Sequence, residues 1–126
     1  MTRTPVTLGH HWIVDLHGCP IELLDDHDLM CQRLKETTER FGLTLLDIVS
    51  NRFEPQGVTV VGLLAESHMS IHTWPEHNYA AIDIFTCGDP QIARRIQTEI
   101  TERFSPATAN AREFSRGPIV NPKGSI

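Results

Sequence analysis

From Met30 onward, core-type residues recur near the helical period, at Met30, Leu34, Thr37 and Phe41. This spacing predicts a helix with one buried face. Asp25 or Asp26 can cap its first turn, and Gly42 is a natural C-terminal stop. A second helix is predicted after Pro90, whose fixed φ suits a first turn. Ile92, Ile96 and Ile100 define its buried side by their four-residue spacing, with Phe104 beyond. The other apolar runs have strand character. Residues 7–17 form the first, ending near Gly18-Cys19-Pro20, and 43–53 form the second, broken by Pro55-Gln56-Gly57. Val58-Thr59-Val60-Val61-Gly62-Leu63-Leu64 reads as a mostly buried strand. Residues 68–74 and 79–86 flank a turn at Pro75, and a last strand is expected at 107–115. Gly117, Pro118, Pro122 and Gly124 predict a loop for the tail.

The predicted order is β-α-β-β followed by β-β-α-β. Two helices and about six strands suggest an α+β, two-layer sandwich with a mostly antiparallel sheet and helices on one face. The other sheet face needs a cover, and a second subunit is one source of it.

Length and composition narrow the classes. A chain of 126 residues, 40% hydrophobic and 21% charged, reads as a single globular domain over 1–126. It has little volume for a deep private cleft, which favours a site shared between subunits. The net charge of −5, with no Lys/Arg cluster, excludes a nucleic-acid surface. No run approaches the ~20 apolar residues of a membrane span. His10, His11 and Asp15 interrupt any signal-peptide core. Cys19, Cys31 and Cys87 form no CxxC pair, and their odd number fits a reducing cytoplasm.

The chemistry concentrates in Ala65-Glu66-Ser67-His68-Met69-Ser70-Ile71-His72-Thr73-Trp74-Pro75-Glu76. The Ser67 hydroxyl can attack the Glu66 carbonyl and turn the amide into an ester. Loss of the Ser67 α-proton then expels the Glu66 carboxylate and leaves dehydroalanine, which hydrolyses to a pyruvoyl group. That sequence needs a proton acceptor and donors for the oxyanion. His72 suits the proton work. On a strand, however, His68, Ser70 and His72 share one face, and such a row equally reads as solvated surface. Alternation also sends Ser67 to the opposite face from His72, so the chemistry requires a turn or bulge at Glu66-Ser67. His68 and His72, with Cys87 or His77, offer a metal reading. Ile71, Thr73, Trp74 and Pro75 favour a strand over the helix that such spacing needs, and Met69 stands where HExxH has its glutamate. No metal is expected. Cys87, at a strand end, is a small hydrophobe or a proton donor. Phe53 is core or a stacking platform. Glu76 is a loop carboxylate or a diol acceptor, and Asp83 interrupts an apolar strand.

Glu-Ser-His-x-x-Ile-His-Thr-Trp-Pro-Glu, followed by Asp83-Ile84-Phe85-Thr86-Cys87-Gly88, closely resembles the signature of prokaryotic S-adenosylmethionine decarboxylases. The likeness covers most of the chain and is strongest over 52–89. It implies autocatalytic cleavage between Glu66 and Ser67, giving a beta chain 1–66 and an alpha chain 67–126. Ser67 becomes the pyruvoyl cofactor, which forms a Schiff base with the substrate amine and acts as electron sink for decarboxylation. His72 assists processing, as does the hydroxyl at Thr59. Cys87 protonates the product, Phe53 stacks on adenine and Glu76 binds the ribose hydroxyls. The product serves spermidine biosynthesis. The family fold dimerises into an αββα arrangement with active sites at the interface. This chain departs at three positions: Thr59 replaces a common serine, Asn51 a common histidine, and Val60 a small glycine, which is expected to crowd the strand near the site. The rival expectations are a related pyruvoyl decarboxylase acting on arginine or ornithine, and an uncleaved, non-enzymatic ligand-binding homologue.

Overall fold

The computed structural model describes residues 6–120. Its strands are β1 (Val6–His17), β2 (Leu45–Arg52), β3 (Val58–Leu64), β4 (Ser67–Trp74), β5 (Tyr79–Thr86) and β6 (Thr108–Val120). Its helices are α1 (Ile21–Leu24), α2 (His27–Arg40) and α3 (Pro90–Arg103), with a single 3-10 turn at Pro75–His77. The strands form one antiparallel sheet in the order β2-β3-β4-β5-β1-β6. The expected α+β class and antiparallel sheet are therefore present.

Period-two alternation decides which side of each strand is buried. Val58, Val60, Met69, Ile71, Ile82, Ile84, Val14 and Leu16 lie beneath the helices, almost wholly excluded from solvent. From above, α2 contributes Met30, Leu34 and Thr37, and α3 contributes Ala93, Ile96 and Ile100. Gly62 lets α2 approach closely: a Cβ there would lie 2.7 Å from Leu34 Cδ2. Asp26 caps α2 by accepting from Leu29 N at 3.0 Å. Cys19 is buried with no partner for a charge, and burial pushes its thiol up to about 11. This agrees with a structural role.

Three sequence expectations need correction. Ile92 is exposed, and Ala93 takes its place on the buried stripe. Four-residue steps drift by about 40° each on a 3.6-residue helix, so 93, 96 and 100 follow one face better than 92, 96 and 100. The short α1 was not foreseen, because four residues carry no period. Gly117 and Pro118 belong to β6 rather than to a loop. A register shift between Thr7 and Gly9 of β1 absorbs them, with Gly117 at φ +87. As an edge strand, β6 tolerates a proline that central strands exclude. Pro122 and Gly124 lie outside the described residues.

Among the described residues, no helix covers the opposite sheet face. It presents Thr59, Val61 and Leu63 from β3, His68, Ser70 and His72 from β4, and Asp83 and Phe85 from β5. Its centre is polar. Asp83 accepts from Ser70 Oγ at 3.1 Å and pairs with His11 Nε2 at 3.2 Å. Tyr79 donates its hydroxyl to Asp15. Burial, that hydrogen bond, and the negative charges of Asp15 and Asp83 together push the Tyr79 phenol up to about 12 from 10.

Two measurements check this architecture. Leu34→Ala empties a fully buried position and is expected to cost about 2–5 kcal/mol in denaturant unfolding; a loss near zero contradicts the packing of α2 on the sheet. Tyr79 is the single tyrosine in the sequence, so phenolate absorbance reads it alone. Its midpoint should lie near 12, and Asp15→Asn should lower it. The folded pKa is the raised one, so this group's stabilising effect is full below pH 10 and is lost as pH climbs through about 12. An ordinary midpoint near 10 contradicts the Tyr79–Asp15 bond.

Candidate active site

The Glu66-Ser67 bond sits at the tightest connection in the sheet. Register pairs Leu64 directly with Ser67, leaving Ala65-Glu66 as a two-residue turn. This supplies the turn that the chemistry requires. Thr44 N donates to Glu66 Oε1 at 3.1 Å, pinning the side chain. Cys87 N donates to the Glu66 carbonyl at 3.2 Å. An N–H already aimed at the carbonyl next to a serine is a donor for charge that develops on that oxygen. Ser67 pairs with Thr86, at φ 157, and is half-buried. The Cys87 side chain is exposed at the end of β5. Glu66, Ser67 and Cys87 thus meet at one rim of the sheet.

The second group lies at the far end of β4. Thr59 and His72 are register partners on the helix-free face, and Thr59 Oγ1 lies 3.1 Å from His72 Nδ1. The threonine hydroxyl is therefore within hydrogen-bond reach of the imidazole. A cavity of about 370 Å³ opens beside the pair, lined by Phe53, Gln56, Thr59, His72, Thr73, Trp74 and Glu76. That volume suits a small molecule. Glu76 is carried by the 3-10 turn, which Asn78 closes at φ +52. Thr73 fixes the floor: its buried hydroxyl donates to Leu24 O at 2.7 Å and accepts from Val58 N at 2.9 Å. Phe53 projects at the mouth, 47% exposed.

Phe53, Thr59, His72 and Glu76 are therefore gathered in one place, and Glu66, Ser67 and Cys87 in another. Within one chain the two places do not meet. Five steps along β4 separate Ser67 from His72, roughly 17 Å at the rise of a strand. Val60 does not crowd either place. It is fully buried beneath the helices and pairs with Ile71, on the side away from the cavity. Asn51 pairs with Thr59 across β2 and β3. Gln56 was not foreseen as a lining residue, and neither was the role of Asp25. Asp26 does the capping, and Asp25 Oδ1 instead accepts from Gly57 N at 3.0 Å. The paired aspartates were the available signal, since one helix needs only one cap. Among the described residues, no three His, Cys, Asp or Glu side chains gather as a metal site.

The chain is similar to known proteins in sequence and in fold. The family model for S-adenosylmethionine decarboxylase matches residues 10–117. The S-adenosylmethionine decarboxylase proenzyme of Prochlorococcus marinus (strain MIT 9313) is 51% identical over 109 residues, which is 86% of this chain and 87% of that one. The proenzyme of the same name from Hydrogenobaculum sp. (strain Y04AAS1) is 43% identical over 118 residues, 94% of this chain and 88% of its own. The crystal structure of the adenosylmethionine decarboxylase from Aquifex aeolicus VF5 superposes with a TM-score of 0.86 at 36% identity, covering 91% of this chain and 95% of that one. A family match across the sheet and both long helices, with the turn at Glu66-Ser67 intact, leaves one assignment: this chain belongs to the S-adenosylmethionine decarboxylase family.

Proposed function

We propose that this single-domain chain is a proenzyme that cuts itself between Glu66 and Ser67, and then decarboxylates S-adenosylmethionine as a homodimer of cleaved protomers. One observation carries the reading. The Ser67 rim and the Thr59–His72 cavity lie about 17 Å apart along one strand, beside a sheet face that no helix covers. A two-fold axis lying parallel to that face and across its strands stacks two sheets antiparallel into an αββα assembly and sets the rim of one protomer against the cavity of its partner. Exposed Leu63, Val49 and Phe114 on the same face supply apolar surface for the contact.

The residues at hand fit a pyruvoyl group derived from Ser67. The Glu66 carbonyl already has a backbone donor in Cys87 N–H, and the two-residue turn places the scissile bond at the end of the β3–β4 ladder. When formed, the ketone supplies an electron sink for the pair released as carbon dioxide departs. His72, with its ring held by Thr59, moves the proton of the Ser67 hydroxyl across the dimer interface, from the other protomer, and returns one to the leaving amine there. Phe53 offers a face to adenine and Glu76 a bidentate acceptor to the ribose hydroxyls. Cys87 delivers a proton to the α-carbon after carbon dioxide leaves. The product is an aminopropyl donor of the kind that spermidine synthesis consumes. Three free cysteines fit the reducing cytoplasm as the place of work.

Intact mass under denaturing conditions tests the cut. Two chains are expected, one ending at Glu66 and one beginning with a pyruvoyl group in place of Ser67. Ser67→Ala should stay whole and release no carbon dioxide from S-adenosylmethionine. Activity in that variant, or a single chain from the parent protein, sinks the proposal. Mixed dimers test the shared site. Ser67→Ala and Glu76→Ala should each be nearly inactive alone. Co-expressed, they should regain about a quarter of parent activity, because half of the dimers hold one complete site of two. If the mixture stays as inactive as its components, the site is contained within one protomer.

A further inference from the structure

We propose that Asp25 is a positioning residue: it sets Phe53 over the cavity and so controls affinity for the nucleoside end of the substrate. The inference rests on the reading of Phe53 and Glu76 as nucleoside contacts.

Phe53 stands on an exposed loop, with residues 53–55 all open to solvent. Its ring is half exposed, so the loop backbone decides where it points. That backbone has one deep attachment. Gly57 is buried, and its carbonyl accepts from Phe53 N at 2.9 Å, closing the loop. On the other side of the same residue, Gly57 N donates to Asp25 Oδ1 at 3.0 Å. A carboxylate acceptor makes this a charge-assisted bond, roughly twice as strong as a neutral one. Gly57 has little freedom to move elsewhere. It sits at φ +106, and a Cβ there would lie 3.2 Å from Thr73 O.

Asp25 is itself held. Its backbone N–H donates to Ile21 O at 3.1 Å as the C-cap of α1, and the preceding Leu24 carbonyl accepts from Thr73 Oγ1. The short helix and β4 thus fix the carboxylate, the carboxylate fixes Gly57, and Gly57 fixes Phe53. Capping does not explain Asp25, since Asp26 fills that role for α2. Asp25 is not among the cavity's lining residues, and its bond to Gly57 lies at the opposite end of the β3–β4 ladder from Ser67 of the same chain. Its effect should therefore fall on binding rather than on the cut or on the bond-breaking step.

The test uses the full processed protein and 5′-methylthioadenosine, a nucleoside probe without the amino-acid end. Asp25→Ala should raise the Kd for the probe and the KM for S-adenosylmethionine about tenfold, the loss of one hydrogen bond to a charged group. Its kcat should stay within about twofold, and cleavage at Glu66-Ser67 should proceed. Asp25→Asn keeps an acceptor oxygen and should recover most of the affinity. Asp25→Glu keeps the charge but displaces the loop by one methylene, and should also lose affinity; it carries the test if Asp25→Ala does not fold. In a Phe53→Ala background, Asp25→Ala should add no further loss. Parent affinity in both Asp25→Ala and Asp25→Glu, or an additive loss beside Phe53→Ala, overturns the inference alone. A parent protein that does not bind the probe overturns the nucleoside reading of the cavity, and this inference with it.

Discussion

Everything in this protein depends on the register of the β3–β4 hairpin. The two-residue turn at Ala65-Glu66 pairs Leu64 with Ser67 and, five steps along, Thr59 with His72. A slip of one residue would turn Met69, Ile71 and Thr73 toward solvent and drive His68 and His72 under the helices. The core forbids that slip, because Met69 and Ile71 are among its fully buried side chains. The same hydrophobic burial that stabilises the sheet therefore holds a hydroxyl against an imidazole at one end and a serine at the rim of the other.

Much of the fold was legible because alternation and helical period are direct consequences of burial. All six strands and both long helices fall close to where the pattern of apolar residues puts them. The misses have specific causes. α1 is one turn long and leaves no periodic trace. Ile92 matches a four-residue rhythm that drifts off the buried face. Gly117 and Pro118 look like chain breakers, yet a long edge strand beside a register shift accommodates them. The break in alternation at that shift could not be read from residue types.

The site was legible in part for a different reason. Glu66, Ser67 and His72 lie in one short segment, so a local motif carries them. Thr59 joins His72 through register, once the hairpin is recognised. Two contributions have no such trace. The N–H that Cys87 directs at the Glu66 carbonyl belongs to the backbone, which every residue type shares. The bond from Asp25 to Gly57 spans 32 residues and depends on the tertiary placement of α1. The division of the site between opposite ends of β4 follows from simple strand arithmetic, but only after the face of each residue is known.

The order of strands has a bearing on the protein's lifetime. Residues 1–66 contribute β1, β2 and β3, and residues 67–126 contribute β4, β5 and β6. Yet β1 lies between β5 and β6, hydrogen-bonded to both. Scission after Glu66 would leave two interwoven polypeptides with no covalent tie, held by the ladders of one sheet. Folding before the cut is a first-order event of one molecule. Refolding after it would require two molecules to find each other, at a rate set by their concentration. Maturation would thus act as a ratchet: the uncut chain can fold and unfold many times, whereas a cut pair that once comes apart in dilute solution has largely lost its way back.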